Sequence, residues 1–92
     1  MACNFHILLT KSGDHICLKL NGDFDGSSAC ELVNLLNGAD LRESSEILVN
    51  TDSLKHVYPF GLNILHHRLH ESKSRKVPLI YTGKMSRRFV SS

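Results

Sequence analysis

The stretch Ser53-Leu54-Lys55-His56-Val57-Tyr58-Pro59-Phe60-Gly61-Leu62-Asn63-Ile64-Leu65 decides how the rest of this chain is organised. It follows an apolar run, residues 46–50, that is typical of a strand. Pro59 suits the first turn of a helix, because its fixed φ is helical and its missing N–H would have no intrahelical partner there. The stretch therefore predicts a strand, an exposed loop and a helix start, which is where α/β domains often carry binding residues.

Composition restricts the classes of protein to which the chain can belong. Ninety-two residues with 41% hydrophobic content allow one domain with a modest core, so we expect residues 1–92 to form a single domain. The net charge is +2, yet six Lys and Arg residues and no acidic residue follow Glu71. This basic end, residues 73–88, is either a solvated surface or a site for phosphate or nucleic acid.

The cysteines point to a reducing environment. Cys3, Cys17 and Cys30 are an odd number, widely spaced and without a C-x-x-C pair, so they indicate neither a disulfide framework nor a zinc site. The sequence has no run of 18 apolar residues and no signal segment at its start. We therefore expect a cytoplasmic protein that does not insert into a membrane.

The first half of the chain has the periodicity of a hairpin followed by a helix. Residues 5–9 and 15–20 predict two antiparallel strands around a Gly13-Asp14 turn, and residues 21–26 predict a loop. Ser28 and Glu31 fit a capping box, which predicts a helix over 28–37 that ends in a left-handed Gly38.

The second half alternates strands and helices. Residues 47–49 predict a central strand covered on both faces, and residues 59–72 predict a helix whose core stripe is Leu62, Leu65 and Leu69. Connectors are expected at 40–46 and 73–76, a strand at 77–81 with Pro78 near its start, and a short last helix within 85–92. The order β-β-α-β-α-β-(short α) predicts an α/β fold with a mixed four-stranded sheet and helices packed on it.

Four segments in this order resemble the STAS domain of sulfate transporters and bacterial anti-sigma factor antagonists. The segments are the strand and Gly-x-x-Asp at 18–25, the central strand and loop at 48–57, the Gly-Leu helix start at 61–65, and the strand at 77–83. The resemblance covers about residues 5–84 and implies a regulatory module that binds a protein partner, such as an anti-sigma factor or serine kinase. Membership of a membrane transport assembly is the alternative that the same family implies.

The chain departs from the family where an anti-sigma factor antagonist usually has Asp-Ser-Ser, one serine of which is phosphorylated. Tyr58, Pro59 and Phe60 stand there instead, so a serine phospho-switch does not carry over. Whether Tyr58 or Ser53 is modified stays open. Only residues 85–92 remain for the family's third helix, so we expect apolar surface near the end of the sheet to be less covered, which would favour self-association as a homodimer.

The resemblance and the helical spacing together nominate a partner-binding surface. Phe60, Ile64 and His67 lie opposite the core stripe of the second helix, and Tyr58 adds an aromatic side chain before it. Asp25 matches the aspartate of Gly-x-x-Asp, although a helix N-terminal or turn role fits it equally well. The nominated set is Asp25, Tyr58, Pro59, Phe60, Asn63, Ile64 and His67.

Catalysis and cofactor binding find little support in the sequence. His66 and His70 have the spacing of metal ligands, but no third ligand lies nearby, so a solvated helix face is favoured and no metal or cofactor is expected. Residues 22–26 lack the Lys-Ser/Thr of a phosphate loop, and no Cys pairs with a His at the loop–helix junction. We expect a protein that is not an enzyme.

Overall fold

The computed structural model describes residues 4–38, 46–71 and 79–90, and the predicted connectors at 40–46 and 73–76 fall largely or wholly outside these ranges. Its elements follow the predicted order and confirm an α/β fold with a four-stranded mixed sheet and three helices. The elements are β1 (His6–Ser12), β2 (His15–Phe24), α1 (Gly26–Leu36), β3 (Glu46–Val57), α2 (Pro59–Glu71), β4 (Leu79–Thr82) and α3 (Ser86–Val90).

The strands lie in the sheet in the same order as in the chain. β1 and β2 form the predicted antiparallel hairpin, and Gly13 in its turn has a φ of 63° that favours glycine. β2 pairs with β3, and β3 with β4, in parallel, so the chain crosses over the sheet between these strands. Because β2, β3 and β4 are parallel, their carboxyl ends meet at one edge of the sheet.

The core lies between one face of the sheet and the helices. Alternate residues of β2 and β3 are fully buried on this face, and they form one cluster with the apolar residues of α1 and α2. Within the predicted stretch 47–49 of β3, Ile47 and Val49 are buried, whereas Leu48 between them is half-buried. The prediction of a central strand is confirmed, but its coverage on both faces is wrong, since Leu48 points to the face opposite the helices.

Both strands that lead into helices are longer than predicted. Residues 21–24 continue β2 instead of forming a loop, and residues 51–57 continue β3 instead of forming an exposed loop. Parallel pairing between the two extensions, which joins Phe24 to Val57, explains the added length.

Gly22 lies in this part of β2 with a φ of 96°, and a Cβ there would come within 2.0 Å of the carbonyl oxygen of Asn4.

The predicted start of α1 is wrong by two residues. Asp25, and not Ser28, is the N-cap, and its Oδ1 accepts a 3.0 Å hydrogen bond from the backbone N–H of Ser28. The Ser28 hydroxyl is buried and donates to the carbonyl oxygen of Asp23 at 2.7 Å. Glu31, the other half of the predicted capping box, is exposed.

The left-handed cap predicted at the end of α1 is also absent. Asn37 is the C-cap with a φ of −84°, and Gly38 does not have a positive φ. The backbone N–H of Gly38 instead donates to the carbonyl oxygen of Leu35 at 3.0 Å, which continues the right-handed turn. Asn37 and Gly38 therefore satisfy the last carbonyls of the helix without a change of handedness.

The short helix α3 contributes a core residue that the sequence prediction did not assign. Phe89 is fully buried, and its ring lies 5.0 Å from that of Phe24 and 5.2 Å from that of Tyr81. His66 of α2 donates a ring N–H to the carbonyl oxygen of Phe89. A helix of five residues is thus fixed by an aromatic contact and a hydrogen bond from the longer helix.

Candidate partner-binding surface

The two strand-to-helix junctions lie side by side at the carboxyl edge of the sheet. A single residue separates strand from helix in each case, Asp25 between β2 and α1 and Tyr58 between β3 and α2. The N–H of Tyr58 donates to the carbonyl oxygen of Phe24 at 2.9 Å, which joins the two junctions. Gly61 and Leu62 in turn donate to the carbonyl oxygen of Tyr58 and start α2.

Gly61 allows the first turn of α2 to pack directly on the backbone of Asp25. A Cβ at position 61 would lie 2.7 Å from the Asp25 carbonyl oxygen and 2.8 Å from its carbonyl carbon. Gly61 is buried although its neighbour Phe60 is exposed. Backbone therefore packs on backbone here, and the positions of both helix starts depend on each other.

The Asp25 carboxylate holds the start of α1. The Ser28 backbone N–H donates to the Asp25 carboxylate and the Ser28 hydroxyl lies 3.1 Å from it, and both lower the pKa of Asp25 from the ordinary value. Burial acts in the opposite direction but does not outweigh them. Asp25 is accordingly ionised at neutral pH and places a negative charge beside the exposed start of α2.

Phe60 projects from the first turn of α2 and lies over Gly26. A Cβ at Gly26 would come within 3.0 Å of Phe60 Cε2 and 3.2 Å of Ile64 Cδ1, so glycine makes room for both side chains. Phe60 is still 67% exposed, which excludes the alternative that it folds back into the core. An aromatic ring that is positioned on one side and open to solvent on the other is well suited to insertion into a partner.

A shallow groove runs between α1 and α2 beside Phe60. Its larger segment has a volume of about 710 Å³ and begins at Phe60, and a second segment of about 430 Å³ continues toward His67 and Arg68. Cys30 and Ile64 line both segments. Residues that line only the larger segment are Asp25, Gly26, Ser27, Glu31, Asn34 and Phe60.

The structure brings most of the predicted site residues to this groove. Asp25, Phe60 and Ile64 line the first segment, and Asn63, Ile64 and His67 line the second. Tyr58 and Pro59 lie outside the lining of both segments. They are exposed at the entrance to α2, where the Tyr58 ring lies 6.3 Å from that of His56.

The groove has unlike charges at its two ends. Asp25 and Glu31 lie along the first segment, whereas Arg68 lies beside His67 in the second. The floor between them is formed by Cys30 and Ile64, both half-buried. The surface therefore combines an aromatic anchor, an apolar floor and separated charges.

Sequence reasoning missed the half of the groove that α1 supplies. Gly26, Cys30 and Glu31 face α2, and none of them was nominated. Gly26 could have indicated this half of the groove, because it directly follows Asp25 and has no side chain to fill the space beside it. Arg68 was missed as well, although it lies one residue beyond His67.

The histidines of α2 have different surroundings. His66 is half-buried and bonded to Phe89, so the expectation of a purely solvated face is wrong for this residue. His67 and His70 are exposed. Within residues 4–38, 46–71 and 79–90, no three His, Cys, Asp or Glu side chains are grouped as metal ligands.

Comparison with solved structures identifies the fold. Mglu in its L-glutamate binding form matches with a TM-score of 0.69 at 10% identity, over 84% of this chain and 26% of that chain. An anti-sigma factor antagonist from Mycobacterium paratuberculosis matches with a TM-score of 0.64 at 15% identity, over 95% of this chain and 75% of that one. The unphosphorylated anti-sigma factor antagonist SpoIIAA matches with a TM-score of 0.59 at 14% identity, over 95% of this chain and 81% of that chain.

These likenesses show that the chain has the STAS-like fold of anti-sigma factor antagonists, as its sequence predicts. The chain spans only 19% to 27% of the Mglu chains it matches. No protein-family model matches the sequence, and no curated protein does so. Among the described helices, none has the length and apolar character needed to cross a bilayer.

Proposed function

We propose that this chain is a non-catalytic regulatory module that binds a protein partner through the Phe60 groove between α1 and α2. The observation that carries the proposal is the exposure of Phe60 on a first helical turn whose backbone is fixed against Asp25. A rigid aromatic anchor loses little conformational entropy on binding, and such residues dominate many interfaces. The fold shared with anti-sigma factor antagonists supports a partner of the anti-sigma factor or kinase-like class.

Binding at this surface is proposed to proceed without serine phosphorylation. Pro59 and Phe60 have no hydroxyl group. Tyr58 is exposed and has one, but its phenol hydroxyl lies farther from the backbone than a serine hydroxyl does. The partner surface would then be constitutively available. The same groove would serve equally in a subunit of a membrane transport assembly, and the identity of the captured partner separates these two settings.

The test is affinity capture from native lysate with wild-type protein, Phe60→Asp and Val90→Asp, each washed at low and high salt. Val90 is the matched control because it is 63% exposed on α3, away from the groove. We expect one specific protein that survives high salt with wild type and Val90→Asp and is lost with Phe60→Asp. An aromatic anchor in an apolar groove is little affected by salt.

The competing function is phosphate or nucleic-acid binding through the basic end, where Lys84, Arg87 and Arg88 are exposed. Affinity for a polyanion falls steeply as salt rises, because binding releases counterions. Capture of the same material by all three baits, with loss in high salt, would contradict the groove proposal. It would favour the basic end instead.

A further inference from the structure

The charges that line the Phe60 groove divide by helix. Asp25, directly before α1, and Glu31, within α1, give the α1 side a negative charge. Arg68 of α2 gives the other side a positive charge. We call these two sides the acidic wall and the basic wall. A segment that lies in the groove therefore has carboxylates along one flank and a guanidinium along the other.

The charges of Glu31 and Arg68 are available to a bound segment. Both side chains are exposed, and neither forms an ion pair with another described residue. The half-buried, largely apolar floor of Cys30 and Ile64 lies between the two walls. A partner can therefore pair with each wall without breaking an existing ion pair of this chain.

The groove suits a helix better than an extended strand. The backbone N–H and C=O groups within α1 and α2 are bonded inside their own helices, so a strand in the groove would find no backbone partner there. A helix satisfies its own backbone and can place an apolar face in a groove between two helices. α1 has 11 residues, which at 1.5 Å per residue gives a wall about 16 Å long, enough for about three turns of a bound helix.

We propose that the occupant of the Phe60 groove is an amphipathic helix of the partner protein, with an apolar stripe between one basic flank and one acidic flank. The stripe packs on Phe60 and on the floor of Cys30 and Ile64. The basic flank pairs with the acidic wall, and the acidic flank pairs with Arg68. This inference rests on the proposed function, since it names the kind of partner segment that the same groove accepts.

Affinity and selectivity have different sources in this arrangement. Phe60 and the apolar floor supply most of the affinity, because aromatic anchors dominate interfaces of this kind. Exposed ion pairs are individually weak, but like charges placed opposite each other disfavour the wrong partner. A helix with two basic flanks would meet Arg68, and one with two acidic flanks would meet the acidic wall. The walls therefore select a helix whose flanks differ in charge.

The test is selection of peptides by the immobilised full chain from a phage-displayed library, each peptide fused to a coiled coil that keeps it helical. Stripe positions vary among apolar residues, and flank positions vary among Lys, Glu and Gln. We expect wild type to enrich peptides with Lys on one flank and Glu on the other. Arg68→Glu makes both walls acidic and should enrich Lys on both flanks, and Glu31→Lys should shift the enrichment toward Glu.

The matched control is Arg87→Glu. It makes the same change of charge as Arg68→Glu at an exposed residue of α3 that does not line the groove, so it should enrich the same peptides as wild type. By calorimetric titration, a peptide enriched by wild type should bind Arg68→Glu about tenfold more weakly and Arg87→Glu within about twofold of wild type. Circular dichroism of each variant checks that the fold is retained.

Failure of this inference can be distinguished from failure of the proposed function. Peptides that no longer bind Phe60→Asp, but have the same flanks whether selected by wild type or by Arg68→Glu, would overturn the charged helix and leave the groove as the binding surface. Peptides that bind Phe60→Asp as tightly as wild type would overturn both. Absence of any enriched peptide would overturn the helical occupant, whereas a lysate protein lost with Phe60→Asp would still support the groove.

Discussion

The two strand-to-helix junctions are built alike in length and differ in what their side chains do. At the first junction, Asp25 directs its carboxylate inward to the N–H of Ser28, so the side chain stabilises its own helix. At the second, Tyr58 starts α2 with its backbone carbonyl alone, and the side chains of Tyr58 and Phe60 remain exposed. The junction that needs no side chain for capping is the one that has side chains available for binding.

This difference depends on the close contact between the two junctions. Gly61→Ala tests that contact, and of all the variants it is expected to change stability most. The added Cβ would lie within 2.7 Å of backbone atoms of Asp25, which cannot rotate away. We expect a loss of about 3 kcal/mol in the free energy of unfolding, measured by urea titration. Asn63→Ala, an exposed change in the same helix, is the control and should leave stability within about 0.5 kcal/mol.

Phe60→Ala tests whether the second junction serves binding more than folding. We expect affinity for the captured partner to fall about 30-fold, which corresponds to about 2 kcal/mol for loss of an aromatic anchor. Stability should change by less than about 0.5 kcal/mol, since Phe60 is largely exposed. Calorimetric titration and thermal unfolding measure the two quantities, and a large loss of stability with intact binding would reverse the assignment.

Asp25→Ala tests the opposite role at the first junction. Loss of the capping carboxylate should cost about 1 kcal/mol of stability, while Asp25→Asn should retain most of it because an amide oxygen also accepts the Ser28 N–H. Chemical denaturation of the three proteins provides the comparison. Equal stability of the alanine and asparagine variants would contradict a capping role.

The smallest expected effect is a difference in acid sensitivity. Because hydrogen bonds from Ser28 lower the pKa of Asp25 in the folded state, the carboxylate contributes stability above its unfolded pKa. That contribution is lost as the pH falls through the lower, folded pKa. Stability measured from neutral pH into acid should therefore decline less in Asp25→Asn than in wild type, and parallel curves would show that Asp25 does not take part.

The sequence predicted those features that depend on local pattern. Alternation in β2 and apolar spacing in α2 identified both elements, and the positions of Phe60, Ile64 and His67 opposite Leu62 and Leu65 are confirmed. Pairing partners far apart in the chain are not visible in such patterns. The polar residues at 51–57 are strand because β2 lies beside them, and a single sequence gives no indication of that neighbour.

The start of α1 was misassigned for a different reason. Asp25 and Ser28 are both good N-caps, and Glu31 three residues after Ser28 favoured the later start. The Ser28 hydroxyl is buried and donates to the carbonyl oxygen of Asp23, and the carboxylate of Asp25 is left to cap the helix.

Because Phe89 is buried against Phe24, part of the core can form only late in the synthesis of the protein. β2 and its hairpin partner leave the ribosome early, but the ring of Phe24 lacks one of its aromatic neighbours until residue 89 has been added. The parallel pairings of β3 and β4 likewise join segments that are distant in the chain, which slows folding. A nascent chain that has emerged as far as α2 therefore still exposes apolar surface around Phe24, and chaperone contact is expected during this interval.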